Sequence, residues 1–438
     1  MSTAREAALK VLERCRRDGA WSGQALDRVI GAEGLDEREA ALASALSLGV
    51  VQNSRYLDAV IRGFCRSPKL EPKVQDLLRL GAYQILFADR IPVHAAVSES
   101  VSLCRKLGYA RAAGLVNAVL RRIGEHRNEP PELSGRGTAA WLALRYSQTD
   151  WLAERLCAER GYDFAEAFFA ACHRPPSIDL QINTLKTDAA SYARLLDGQG
   201  VAYETPAWPP NCLSLRGGRV ALLPGYGEGL FYVQDRAAAM AVEIADPKPG
   251  MQVLDACAAP GGKSFAAALR MRNEGGILSC DLHEKKLRLI REGAERLGIT
   301  ILRTEARDAS VPEPSMEGAF DLVIADVPCS GFGVMRKKPD IRNKDAKEVE
   351  KLPELQLAIL SALSAYTRPG GTLLYATCTV LRGENEELVS RFLRSHGEYR
   401  PVDFEIGGRR SENGCYTFWP QLDGTDGFFV AKLRREKP

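Results

Sequence analysis

The chain has 438 residues, 45% of them apolar and 26% charged. That is a length for about two to four domains, and a composition that excludes collagen-like, low-complexity and wholly disordered readings. Lys and Arg number 59 against 56 Asp and Glu, a net +3 that by itself announces no polyanionic partner. The first 140 residues hold 21 basic and 16 acidic side chains and the rest hold 38 and 40. The total therefore divides into a +5 N-terminal part and a −2 remainder. The asymmetry points the N-terminal part toward a polyanion, although +5 is also common on domains that bind none.

From the start to residue 125 the pattern is helical. Ala112, Leu115, Val116, Val119, Leu120 and Ile123 share one helical face over 112–123, with Arg121 and Arg122 in the last turn. Asp36 and Glu39 have the spacing of a capping box, and Pro68, Pro72 and Pro92 separate helices. An all-α bundle of about five to seven helices over 1–125 is the expectation. Residues 124–138 are polar and aperiodic, with two prolines, and read as a linker. Helical segments then run to about 173, and strands and turns follow from Ile178 to about Leu230, so 139–245 is expected to hold helices and a small α+β lobe.

From 246 to 438 short apolar runs alternate with helical segments. The runs are Gln252–Asp255, Gly276–Asp281, Ile299–Leu302, Phe320–Asp326 and Gly371–Thr377. Buried strands alternating with helices predict a mostly parallel, doubly wound α/β sheet. Such a sheet takes ligands at the carboxyl ends of its strands, which directs attention to Asp255, Asp281, Asp326 and Cys378.

The turn after the first run, Asp255-Ala-Cys-Ala-Ala-Pro-Gly-Gly-Lys263-Ser264, opens a helix, and its small residues let backbone approach a bound group. Gly262-Lys263-Ser264 matches the end of a P-loop, but Cys257 stands where that pattern needs glycine and Pro260 removes a donor from the cradle. The alternative is a nucleoside-bearing cofactor, with Asp281 at roughly the offset where a carboxylate takes ribose hydroxyls. Eleven cysteines stand singly, with no Cys-x-x-Cys pair, which argues against a disulfide framework and a cysteine-rich zinc site. A signal-peptide pattern and an apolar run of about 18 residues are both missing, so a reducing cytoplasm, with no membrane and no metal, is expected. A lone cysteine in a core strand is usually packing. Cys329 and Cys378, following successive strands beside Asp326 and the cofactor turn, favour chemistry instead.

Asp255–Lys263, Asp326-Val-Pro-Cys-Ser-Gly and Tyr375-Ala-Thr-Cys-Thr resemble the motifs of the S-adenosylmethionine-dependent RNA (cytosine-5) methyltransferases of the Nol/Nop/Sun family. Leu77-Leu-Arg-Leu-Gly-Ala-Tyr-Gln-Ile-Leu, Ile91-Pro-Val-His-Ala-Ala-Val and Leu115-Val-Asn-Ala-Val-Leu-Arg are similar to the NusB-like RNA-binding domain of its RsmB (Sun, Fmu) branch, which acts on 16S ribosomal RNA. The resemblance covers nearly the whole chain. It implies an all-α NusB-like bundle, a small α+β RNA-facing lobe and a Rossmann-like class I methyltransferase domain, in a monomer.

Carried over by position, it assigns Cys257, Ala258, Ala259, Pro260, Gly261, Gly262 and Lys263 to the methionine end and ribose of S-adenosyl-L-methionine. Asp281 would take the ribose hydroxyls, Asp308 the adenine, and Asp326 a place between cofactor and base. Cys378 would be the nucleophile and Cys329 would help expel the product. Arg121 and Arg122 in the helical domain, and Arg336–Lys338 beside the active site, are candidate RNA contacts. Two positions depart from the family pattern: Gln181 stands for the usual arginine of the lobe motif, and Asn343 for a frequent tryptophan.

Overall fold

Residues 3–65 and 69–437 are described by a computed structural model of the chain; Met1, Ser2 and Pro68 lie outside them. They divide into two units, 1–173 with 335–344, and 174–334 with 345–438. No helix among the described residues is long and apolar enough to cross a membrane.

The first unit is helical: α1 (Ala4–Asp18), α2 (Ser22–Glu33), α3 (Glu37–Gln52), α4 (Ser54–Phe64), α5 (Pro72–Phe87), α6 (Val93–Lys106), α7 (Ala113–Glu125), α8 (Ala139–Arg145), α9 (Asp150–Arg160) and α10 (Tyr162–Ala171). The apolar face expected over 112–123 is that of α7, whose Val116, Val119, Leu120 and Ile123 are buried against α5 and α6; Ala110–Ala112 forms a separate 3-10 turn. Asp36 caps α3 by accepting from Glu39 N at 2.8 Å. The box does not close on itself, because the Glu39 carboxylate accepts from Ala4 N on α1.

The segment Met335–Lys344 comes from late in the chain yet belongs to this unit. Its Arg342 is fully buried and donates to Gln52 O at 2.8 Å, Tyr146 O at 3.1 Å and Pro339 O at 2.9 Å. Ser22 donates to Asp340 through both its N–H and its hydroxyl. Asn343 is exposed, so no packed position is left short by the missing tryptophan.

The second unit opens with the lobe, strands β1 (Ile178–Ile182), β2 (Cys212–Leu215) and β3 (Phe231–Val233) in antiparallel order β2-β1-β3, covered by α11 (Ala189–Gly198). Helix α12 (Arg236–Ala245) then leads into β4 (Gln252–Asp255), α13 (Gly262–Arg270), β5 (Gly276–Asp281), α14 (Glu284–Leu297), β6 (Leu302–Ala306) and β7 (Phe320–Asp326). A short turn α15 (Ala346–Val349) and α16 (Leu352–Ser364) precede β8 (Thr367–Thr377), which is followed by α17 (Glu386–Ser395). Short β9 (Tyr399–Pro401) and the pair β10 (Glu405–Ile406) and β11 (Arg409–Arg410) come next, then β12 (Cys415–Phe418) and β13 (Phe428–Arg435).

The main sheet runs β12-β13-β8-β7-β4-β5-β6, with β9 on β13. From β6 to β8 it is parallel, and β13 pairs antiparallel with β8. Alternation along β7 shows why these runs are strands: Leu322 and Ile324 pack toward α12, α13 and α14, while Val323 and Ala325 pack toward α16 and α17. One expected strand is displaced. The apolar run at 299–302 contributes only Leu302 to β6, because Gly298 ends α14 at φ +75° and Ile299 N still bonds Ala294 O.

Candidate active site

The chain leaves β4 for β5 and β6 on one side and returns to β7 and β8 on the other, so the carboxyl ends of β4 and β7 flank the switch in strand order. The turn after β4 lies across both neighbours, with Ala256 N bonded to Ile324 O at 3.0 Å and Ala258 N to Cys280 O at 2.7 Å. Gly261 makes the corner at φ +113°, where a Cβ would come within 2.5 Å of the Phe265 ring.

Asp255 is 1% exposed. Ser264 Oγ donates to its Oδ2 at 2.7 Å, and its Oδ1 has no partner. Burial pushes its pKa up to about 6, against the opposing pull of Ser264. Lys263 is committed elsewhere than to a phosphate cradle: its Nζ lies 2.5 Å from Asp326 Oδ2 and over the Phe428 ring. Burial disfavours this ammonium, but the Asp326 carboxylate outweighs it and holds the pKa above the ordinary lysine value.

Asp281 ends β5 nearly buried, accepting from His283 N at 3.0 Å and pairing with Lys286 Nζ at 3.4 Å. Asp308 follows the adjacent β6, is exposed, and accepts from both the hydroxyl and the N–H of Ser310, which hold its carboxyl below the usual range. Cys257 is pushed up by burial and then by Asp326, Asp255 and Asp281 around it, so its sulfur stays a thiol.

Strands β7 and β8 are neighbours, Asp326 facing Ala376, and each is followed by one of the two cysteines. Cys329 Sγ and Cys378 Sγ stand 3.2 Å apart. The Cys378 sulfur and then burial raise the Cys329 pKa well above the ordinary thiol value. Gly333 N bonds Cys378 O at 3.0 Å and ties the two turns together.

Sequence reasoning missed the residues behind these sulfurs. Ser330, Gln356, Thr379, Glu384 and Asn385 form a buried hydrogen-bonded group around both turns. The closeness of Glu384-Asn385 to Cys378 in the chain was the one available signal. The lobe motif turns inward: Gln181 is buried and donates to Gln234 O, while Asn183 Nδ2 donates to Gly229 O and Leu297 O, each at 2.8 Å. Arg121 and Arg122 are exposed on α7, Arg122 lying over the Phe64 ring, and Arg336–Lys338 fall in the helical unit.

A parallel sheet in the order β6-β5-β4-β7-β8, acidic at the ends of β4, β5 and β7, with a glycine turn opening α13, defines a Rossmann-like class I methyltransferase domain. Comparison with known proteins is specific. Residues 242–434 match the family described as 16S rRNA methyltransferase RsmB/F, residues 2–125 the NusB family, and residues 148–221 the ferredoxin-like domain of RsmF/B-like methyltransferases. The probable ribosomal RNA small subunit methyltransferase B of Bacillus subtilis is 34% identical over 99% of both chains. Its counterpart in Synechocystis is 32% identical over 99% of this chain and 100% of that one. Among solved structures, that of the protein PH0851 superposes with a TM-score of 0.81 at 25% identity, covering all of both chains. The chain belongs to the ribosomal RNA small subunit methyltransferase B family.

Proposed function

We propose that this protein transfers a methyl group from S-adenosyl-L-methionine to C5 of a cytosine in 16S ribosomal RNA through a covalent bond between Cys378 Sγ and cytosine C6. The observation that carries the reading is the pair of sulfurs 3.2 Å apart after adjacent strands, beside Asp326. The site's donor set fits the cofactor: Asp255 Oδ1 is buried and unpartnered, and the Asp281 carboxylate stands at the next strand end, suited to a diol. Residues 257–263 would hold its methionine end and ribose, Asp281 the ribose hydroxyls and Asp308 the adenine. Bound there, it supplies the methyl group as an electrophile.

Cytosine C5 is too weak a nucleophile until a thiolate adds to C6 and makes C5 enamine-like. A free thiol ionises near pH 8.5 and needs help at neutral pH. The nucleophilic form of Cys378 is the one that accepts a hydrogen bond from the protonated Cys329. As the ring loses aromaticity, N3 takes a proton from Asp326, which receives it in turn from the Lys263 ammonium hydrogen-bonded to its Oδ2, and N3 returns that proton when C6–Sγ breaks. After methylation a base removes the C5 proton, C6–Sγ breaks, and Cys329 assists by protonating the departing sulfur. The target base must leave its stack to reach such a pocket. The helical domain of 1–125, with Arg121 and Arg122, and the lobe within 139–245 are read as RNA grips for the catalytic domain of 246–438. The enzyme is read as a monomer of a reducing cytoplasm, where both cysteines stay thiols.

Cys378→Ala is expected to abolish transfer of labelled methyl to unmodified 16S rRNA, and retained turnover overturns the reading. Cys329→Ala is expected to stall as a covalent protein–RNA adduct visible on a denaturing gel. Bisulfite sequencing of rRNA from a strain lacking the protein identifies the cytosine.

A further inference from the structure

Two consecutive residues outside both cysteine turns hold them. The Glu384 carboxylate is 1% exposed and takes three donors. Ser330 N lies 2.9 Å from Oε2, Ser330 Oγ 2.5 Å from Oε1, and Gln356 Nε2 2.8 Å from Oε2. Gln356 Nε2 also donates to Pro328 O at 2.9 Å. The residues on either side of Cys329 are thus fixed, one by Glu384 and one by the amide that Glu384 orients.

Asn385, fully buried, does the same for the other sulfur. Its Oδ1 accepts from Thr377 Oγ1 at 2.7 Å and its Nδ2 donates to Thr379 O at 3.1 Å, the residues flanking Cys378. Ser330 Oγ and Thr379 Oγ1, 2.6 Å apart, close the ring between the two halves, and Tyr375 OH donates to Glu384 O at 2.6 Å. A buried carboxylate is costly unless its oxygens are satisfied, and here the donors converge on both. An amide in its place would turn a donor toward Ser330 or Gln356.

We propose that Glu384 and Asn385 are two separable positioning residues for the reaction, Glu384 setting the Cys329 turn and Asn385 the Cys378 turn, and that their adjacency in the chain fixes the distance between the sulfurs. The inference rests on the roles given above to the two thiols. Loosening the Cys329 turn impairs release, so the adduct forms and persists. Loosening the Cys378 turn impairs addition, so little adduct forms at all. A merely structural role lowers both steps in parallel and traps nothing.

The experiment compares full-length wild type, Glu384→Gln, Asn385→Ala and Cys329→Ala on unmodified 16S rRNA with S-adenosylmethionine. It reads multiple-turnover methyl transfer, adduct on denaturing gels and thermal melting. Displacements of this kind change rates by about tenfold to a hundredfold. Glu384→Gln is expected to accumulate at least about tenfold more adduct than wild type while turnover falls by a similar factor. Asn385→Ala is expected to lose turnover without adduct. Where Glu384→Gln does not fold, Ser330→Ala removes the hydroxyl shared by Glu384 and Thr379 and carries the same expectation. If Cys329→Ala traps adduct and neither Glu384→Gln nor Ser330→Ala does, the positioning role is wrong and the thiol roles stand. If Cys329→Ala itself traps none, the thiol roles fail first and this inference with them.

Discussion

Asp255 is a carboxylate whose surroundings oppose its charge, and its pKa of about 6 in the fold stands above the ordinary value of 3.8. An acid with a raised folded pKa stabilises the fold fully below its unfolded pKa, and that contribution is lost as pH rises through the folded one. At about 1.36 kcal/mol per unit, the ionised form costs about 3 kcal/mol above pH 6.5. Asp255→Asn keeps an acceptor for Ser264 and removes the charge. The variant is therefore expected to melt with wild type near pH 4 and increasingly above it as pH rises to about 6.5, read from thermal melts across that range. Asp326, Cys329 and Cys378 were legible because motif and strand end coincide at each. Glu384 and Ser330 were not: they meet across 54 positions of chain, and a polar contact of that reach leaves no period in the sequence.

Elements place these residues only where backbone can approach backbone. Gly333 follows the Cys329 turn, and a Cβ there would lie 1.8 Å from Gly427 O, on the loop entering β13. Gly427 N in turn bonds Gly333 O at 2.9 Å. Gly333→Ala must displace one loop or the other, and Gly333 N–H with it from Cys378 O. Turnover is expected to fall by about a hundredfold or more while the melting temperature changes modestly, because the clash lies at a strand-end loop rather than in either face of the sheet. Unchanged kinetics would show that the loop gives way freely. At this scale the sequence was a good guide where apolar runs end in a polar residue, as at Gln252–Asp255 and Phe320–Asp326, whose bounds match β4 and β7. It misled at 299–302, where apolar residues closing a helix look like the start of a strand, and it did not resolve β13, whose antiparallel pairing with β8 is a long-range choice.

At the level of the whole molecule, helices α8 to α10 belong with the bundle that precedes the polar stretch after α7. Arg55 pairs with Asp150 at 2.8 Å, Ser147 Oγ accepts from Tyr56 N, Gln52 donates to Cys172 O, and Arg342 bonds carbonyls on both sides of the stretch. His173 Nε2 lies 3.3 Å from Arg342 Nη1, and burial followed by that guanidinium pushes its pKa down to about 3, so the cluster keeps one charge state across the working range. Proteolytic nicking between 126 and 137 is expected to leave fragments that co-elute on a native column and separate only in denaturant. Early separation would show that α8 to α10 are not part of the same body.

The excursion of Met335–Lys344 has a consequence for how such a chain can be recombined. Because the helical unit is completed by a stretch encoded between β7 and β8, no single crossover exchanges that unit between relatives. A chimaera joined only near residue 173 would inherit an Arg342 from one parent and its Gln52 and Tyr146 carbonyl acceptors from the other. Shuffling that respects the fold needs three junctions, near 173, 334 and 344.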